Sequence, residues 1–393
     1  MSEMRRIVIV GAGLAGLRAG EALRSGGFDG DLTIVGDETH PPYNRPPLSK
    51  QVLTGTVDPA ECLFPAERLT ATWLLGTRAV ALDPSAQVVS LHDGRQVPYD
   101  GLVIATGCRA RTWPQPVPAH GVHTLRSLDD CLALRKATSP DTQVAIVGAG
   151  FLGSEVAAAL RARGVHGVSL IDTAPHPLPG LGPTLGARVA QLHTEHGVRL
   201  HLGTNVSRFA GGSRVRALYL ADGTRVAADV VLLAVGATPN TDWLAGSGLT
   251  LHQGRVLCDE RCVVVGADRI VAAGDVAAWT HPRFPAPVGL EHWSNAAEMG
   301  KAAAASLLND PIDRGVFAPV PTFWTDQYDH KIKSVGWFML GTDHTVVEDD
   351  HDHGRLVVEA YRQGALVGAV TVNKPRSHIN YQRALAAALA PAS

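Results

Sequence analysis

The chain has 393 residues, 45% of them hydrophobic and 18% charged, which suits a soluble protein of two or three domains with ample core. Its formal net charge is −2, and no run of lysine or arginine suggests nucleic acid as a partner. No apolar stretch approaches a membrane span, no signal-peptide core follows residues 1–6, and five scattered cysteines imply no disulfide framework. A cytoplasmic protein is expected.

The first predicted element is an apolar strand at 6–10 running into Gly11-Ala-Gly13-Leu14-Ala15-Gly16 and then a helix. A second strand closes at Gly36, and Asp37 follows it, about twenty residues beyond the glycines, as a dinucleotide fingerprint requires. A proline-stiffened loop comes next, at 42–50. Residues 99–107 read as a buried strand ending in the small-residue turn Ala105-Thr106-Gly107, and the proline-rich stretch 113–118 reads as a linker.

The fingerprint then recurs. Residues 144–147 lead into Gly148-Ala-Gly150-Phe151-Leu152-Gly153, with Glu155 just inside the following helix and Asp172 after the next strand. An exit strand at 229–234, continuing into Val235 and Gly236, echoes the one at 100–105. In both copies the first glycine allows a tight turn, the second admits a pyrophosphate against the backbone, and the third brings helix and strand together. The helix N-terminus offers free N–H groups to the phosphates. A carboxylate at Asp172 accepts bonds from ribose hydroxyls and repels a 2′-phosphate, so NADH is expected over NADPH. Two such sites in one polypeptide suggest one nucleotide held as a cofactor and another admitted in turn.

A further strand at 269–275 ends in Gly274-Asp275, which returns the chain to complete the first domain. From about Phe317 short strands appear, at 355–361 and 365–372, with a last helix near 381–388. The expected fold is α/β: two Rossmann-like dinucleotide-binding domains of the glutathione-reductase kind plus a C-terminal α+β domain. The expected divisions are 1–112 with 241–316, then 113–240, then 317–393.

The loop Pro42-Tyr43-Asn44-Arg45-Pro46-Pro47-Leu48-Ser49-Lys50 is a more specific signal. With Thr124-Leu-Arg126, Ala273-Gly274-Asp275, Glu291-His292-Trp293 and Phe323-Trp324-Thr-Asp326, in that order along nearly the whole chain, it resembles the FAD-dependent, NADH-using ferredoxin reductases that serve bacterial P450s and Rieske-type oxygenases. Apoptosis-inducing factor is a relative of that family. The resemblance implies FAD on Gly11, Gly13, Leu14, Ala15 and Gly16, with its adenosine ribose at Asp37 and Glu38, and with Val80, Ala105, Thr106 and Gly107 beside it. It implies Arg45, Lys50 and Arg126 near the pyrophosphate and isoalloxazine, and Gly274 and Asp275 at the ribityl or pyrophosphate region. Glu291, His292, Trp293 and Trp324 would edge the flavin and nicotinamide. NADH would take Gly148, Gly150, Phe151, Leu152, Gly153, Asp172, Val235 and Gly236. Glu155 would face Lys50 across the flavin, giving these two the catalytic role, although a glutamate in a helix's first turn is also favoured by the helix dipole alone.

The implied partner is an iron–sulfur ferredoxin, expected to be of the [2Fe–2S] type. The chain departs from the family in carrying no arginine in 287–290 and an unusual segment at 376–381. An oxidase or disulfide reductase of the same fold is the alternative, but it needs a reactive cysteine where this chain has Tyr43-Asn-Arg-Pro-Pro. A signalling flavoprotein resembling apoptosis-inducing factor is a further one. No C-x-x-C follows either fingerprint, and Cys258 and Cys262 read as buried thiols of a hairpin. His351-Asp352-His353 reads as a solvated acidic loop, and no metal is expected.

Overall fold

A computed structural model describes residues 4–267, 269–284 and 286–388 of the chain. They form two compact units, one lying within residues 1–44, 63–109 and 238–321, the other within 45–62, 110–237 and 322–393.

The first unit is built on a five-stranded parallel sheet. Strand Arg6–Val10 pairs with Asp31–Val35 on one side and Gly101–Ile104 on the other, while Thr72–Leu74 and Ile270–Ala272 take the edges. Ile7, Ile9, Ile34, Leu102, Val103 and Ile104 are fully buried, which is why these strands read as unbroken apolar runs. The pairing of Ile270–Ala272 with Gly101–Ile104 is the expected return of the chain. Helices Leu14–Ser25 and Trp293–Leu308 pack together so closely that a Cβ on Gly300 would stand 2.5 Å from the Ala15 carbonyl oxygen. Two three-stranded sheets complete the unit.

The second unit repeats the parallel pattern. Strand Gln143–Val147 lies between Gly167–Asp172 and Val230–Leu233, with Arg199–Leu202 and Val122–His123 outside them. A separate five-stranded antiparallel sheet holds Thr322–Gln327, His330–Gly336, Ala365–Val372, Arg355–Arg362 and Asp343–Asp350 in that order. Leu185 and Val189 of helix Gly182–Glu195 share a core with Ile332, Val358 and Val370 of this sheet. The last helix runs Pro375–Ala387. It starts earlier than residue 381 because Pro375 occupies a first-turn position, where its missing N–H costs nothing. Among the described residues no helix is long and apolar enough to cross a membrane.

Candidate functional site

Each fingerprint folds into the same cradle, and the three glycines of each divide the work identically. Gly11 has φ +121°, and a Cβ there would lie 2.1 Å from the Ala105 carbonyl oxygen. Gly148, at φ +107°, stands in the same relation to Ala234, at 2.2 Å. A Cβ on Gly16 would meet the Gly11 oxygen at 1.9 Å, and one on Gly153 the Gly148 oxygen at 1.8 Å. At Gly13 and Gly150 an added Cβ would meet nothing within 4 Å. Outer glycines are therefore demanded by the fold, whereas the middle glycine borders open space. Helices Leu14–Ser25 and Phe151–Ala162 begin there with no side-chain cap and no acid in the first turn, Glu155 lying just beyond the first turn and not in it as expected, so their N–H groups remain available to phosphate. The residues present fit a dinucleotide at both sites.

In the first unit, Gly11, Asp37, Ala105 and Gly274 follow the C-terminal ends of parallel strands, where open α/β sheets bind ligands. Thr106 Oγ1 donates to the Asn240 carbonyl at 2.8 Å and Asn240 Nδ2 donates back to the Thr106 carbonyl at 2.9 Å, fixing the turn that ends at Gly107. Asp37 is exposed, whereas Glu38 accepts the Tyr43 hydroxyl at 2.5 Å. Trp293 Nε1 donates to Asn44 Oδ1 at 2.9 Å. Burial holds the His292 imidazole below its ordinary pKa, against the opposing pull of the Asp275 carboxylate. Val80 stands apart from the parallel sheet, in strand Ala79–Asp83, and is 44% exposed.

In the second unit, Lys50 and Glu155 form an ion pair at 2.8 Å, their side chains 12% and 8% exposed. The Ser49 hydroxyl donates to the same carboxylate oxygen at 2.5 Å. Arg45 donates to the Arg126 carbonyl at 2.7 Å, and Arg126 N–H is held by Asp130 in the capping box of helix Leu128–Ala137. Asp172 receives the Ala149 N–H at 2.5 Å and the Ala174 N–H at 2.8 Å, which anchors the acid to the glycine loop. Phe151 meets Phe323 edge-on with centroids 4.7 Å apart, and Trp324, next along that strand, is 37% exposed. Val235 and Gly236 follow strand Val230–Leu233, and the Gly236 carbonyl accepts Arg111 N–H at 3.0 Å.

Burial keeps four of the five thiols in their protonated form. All five are buried. Burial pushes Cys131 up to about 11 and raises Cys62, Cys258 and Cys262 as well, so these four stay protonated and unreactive at neutral pH. His353 and His351 pair with Asp350 and Asp349 on the surface, and among the described residues no group of three His, Cys, Asp or Glu is placed to hold a metal.

Two residues at these sites escaped sequence reasoning. Ser49 was part of a motif but carried no role of its own. Arg255, whose guanidinium reaches Glu291 and the Asp275 carbonyl, was not singled out, although the missing arginine in 287–290 pointed to a cation supplied by another segment.

Comparison with known proteins agrees with this fold. The pattern of the pyridine nucleotide-disulphide oxidoreductases matches residues 5–300, and that of the reductase C-terminal domain matches 322–393. Rhodocoxin reductase of Rhodococcus erythropolis is 35% identical over 390 residues, covering 97% of this chain and 89% of that protein. The biphenyl dioxygenase system ferredoxin–NAD(+) reductase component of Paraburkholderia xenovorans is 36% identical, covering 94% and 90%. The chain superposes on a crystal structure of the covalent putidaredoxin reductase–putidaredoxin complex with TM-score 0.91 at 30% identity, covering 97% of this chain and 93% of that one.

Proposed function

The chain belongs to the pyridine nucleotide-disulphide oxidoreductase family, and from that premise we propose that it is an FAD-dependent ferredoxin–NAD(+) reductase. It draws electrons from NADH and passes them to an iron–sulfur ferredoxin, of the [2Fe–2S] type, that feeds a P450 or Rieske-type oxygenase. The observation that carries this reading is the doubled cradle, with each middle glycine open to a ligand, in a chain whose titrating thiols are too buried to act. When bound, FAD takes a hydride's two electrons together and releases them one at a time.

The protein's own part is placement. Residues 1–112 with 241–316 form the FAD domain in this proposal, 113–240 the NADH domain and 317–393 the C-terminal domain. FAD rests on Gly11, Gly13 and Gly16 and is bordered by Asp275, Glu291, His292 and Trp293. NADH rests on Gly148, Gly150 and Gly153, where the anchored Asp172 carboxylate disfavours a 2′-phosphate. The Lys50–Glu155 pair supplies a fixed, desolvated charge arrangement that water cannot rearrange. An NADH donor suits a cytoplasmic location.

Electron acceptors of this kind are commonly steered by charge. A cavity of about 620 Å³ lies beside Trp324 and His378 and is lined by Lys331, Lys333 and Lys374. Lys331 and Lys374 pair with Asp326 and Glu348, and Lys333 adds a further cation to a wall suited to an acidic carrier. We place the ferredoxin there, so its reduction should slow as ionic strength rises.

The test is anaerobic. The purified protein, mixed with NADH, should bleach within roughly seconds and then reduce an added [2Fe–2S] ferredoxin. Slow bleaching into a lasting NAD-bound complex, with no ferredoxin reduced, overturns the carrier role.

A further inference from the structure

Arg255 opens the strand Arg255–Cys258, far in sequence from either fingerprint, yet its side chain is only 16% exposed. Its guanidinium gathers three groups. Nη2 lies 2.5 Å from Glu291 Oε1, Nη1 donates to the Asp275 carbonyl, and Nη1 lies 3.8 Å from the Cys108 sulfur. Asp275 belongs to the turn Gly274–Val276, and Glu291 leads into the helix Trp293–Leu308. One cation thus ties together two segments that sequence separates by some fifteen residues and that carry Gly274, Asp275, Glu291, His292 and Trp293.

The chain is cut to admit it. A Cβ on Gly289 would lie 2.6 Å from Arg255 Cδ and 2.7 Å from Nε. Gly289 does not have a left-handed φ, so its backbone would accept alanine. The Arg255 side chain is what excludes one.

We infer that Arg255 is a positioning residue of the first cradle, holding the Asp275 turn and Glu291 in the arrangement that binds the cofactor, and that Gly289 is there to make room for it. This rests on the proposal that FAD occupies that cradle. A guanidinium can bridge a carbonyl and a carboxylate at once because its donors form a rigid fork, which an ammonium lacks.

The experiment measures FAD dissociation constants, by recovery of flavin fluorescence, for the full-length wild type and for Arg255→Ala, Arg255→Lys, Gly289→Ala and the Arg255→Ala/Gly289→Ala double variant. Thermal melts of the apoproteins check folding. Arg255→Ala is expected to weaken FAD binding about tenfold, equivalent to about 1.4 kcal/mol, with Arg255→Lys intermediate. Gly289→Ala should weaken it similarly by displacing the arginine. The double variant should bind no worse than Arg255→Ala, since the added methyl then has nothing to displace. Multiplying losses in the double variant, or wild-type affinity in Arg255→Ala, overturns the role of Arg255 alone. A wild type that takes up no FAD overturns the reading of the cradle and this inference with it.

Discussion

Glu155 Oε2 receives two donors, the Ser49 hydroxyl at 2.5 Å and the Lys50 ammonium at 2.8 Å. With both members of the ion pair nearly sealed from water, removing one charge leaves the other buried and uncompensated. Glu155→Gln should therefore destabilise the protein by about 3–5 kcal/mol. Ser49→Ala removes only a hydrogen bond to a charged group and should cost about 1.5–3 kcal/mol. Urea denaturation of both variants measures the order, and equal losses would mean that the buried charge pair contributes no more than the serine's hydrogen bond. The likeness of 42–50 and 148–155 to known motifs led only to the expectation that Lys50 and Glu155 face each other across a flavin, and the direct ion pair was not legible, because residues 105 positions apart share no local pattern. Ser49 and Arg255 were not legible as site residues for the same reason. Their roles arise from which side chains the tertiary fold brings within bonding distance, and neither periodicity nor spacing encodes that.

At the scale of elements, each strand–glycine–helix unit separates what folding needs from what a ligand needs. Gly11→Ala would force a Cβ to within 2.1 Å of backbone while holding φ at +121°, so it should cost several kcal/mol of stability, on the order of a severe core defect. Gly13→Ala meets no atom and should melt within a few degrees of the wild type, yet bind FAD more weakly because the methyl occupies the approach to the phosphates. The same contrast is expected between Gly148 and Gly150, read as NADH affinity. A Gly13→Ala protein that binds FAD normally would show that phosphate does not approach the backbone there. Apolar runs and glycines made these units readable from sequence. The strand Asp343–Asp350 was not readable: it is a sheet edge, acidic and mostly exposed, so it lacks the alternation that marks a half-buried strand. The helix Pro375–Ala387 was recognised only in its second half, since Arg-Ser-His-Ile-Asn carries no apolar stripe and a single buried leucine, Leu385, fixes its face.

At the scale of the whole molecule, the duplicated α/β architecture was legible because the chain states its strand–glycine–helix–strand–acid grammar twice. What that grammar does not convey is how many polar groups folding removes from water. Burial lowers the pKa of His123, His193, His201, His281, His292 and His378. His193 is fully buried against the Tyr328 hydroxyl at 3.0 Å and falls to about 4. In the unfolded chain these imidazoles bind a proton near pH 6.5. Between that value and their lower folded values the unfolded state binds more protons, so stability rises with pH and is lost on acidification. Glu298, raised by burial, works in the opposite direction, but it is one group against six. The paired carboxylate of Asp100, lowered to about 2 chiefly by its bond to Arg6, keeps its contribution until the pH falls below 3.8, so it cannot account for losses at milder acidity. The melting temperature should therefore drop progressively from pH 6.5 to pH 4. His193 should supply up to about 1.4 kcal/mol per pH unit in the middle of that range. His193→Gln, which keeps a polar side chain opposite Tyr328, should flatten the slope of stability against pH whatever it does to stability at pH 7. An unchanged slope would place the acid sensitivity in the other five histidines, and a flat wild-type profile would mean that burial does not hold these imidazoles neutral.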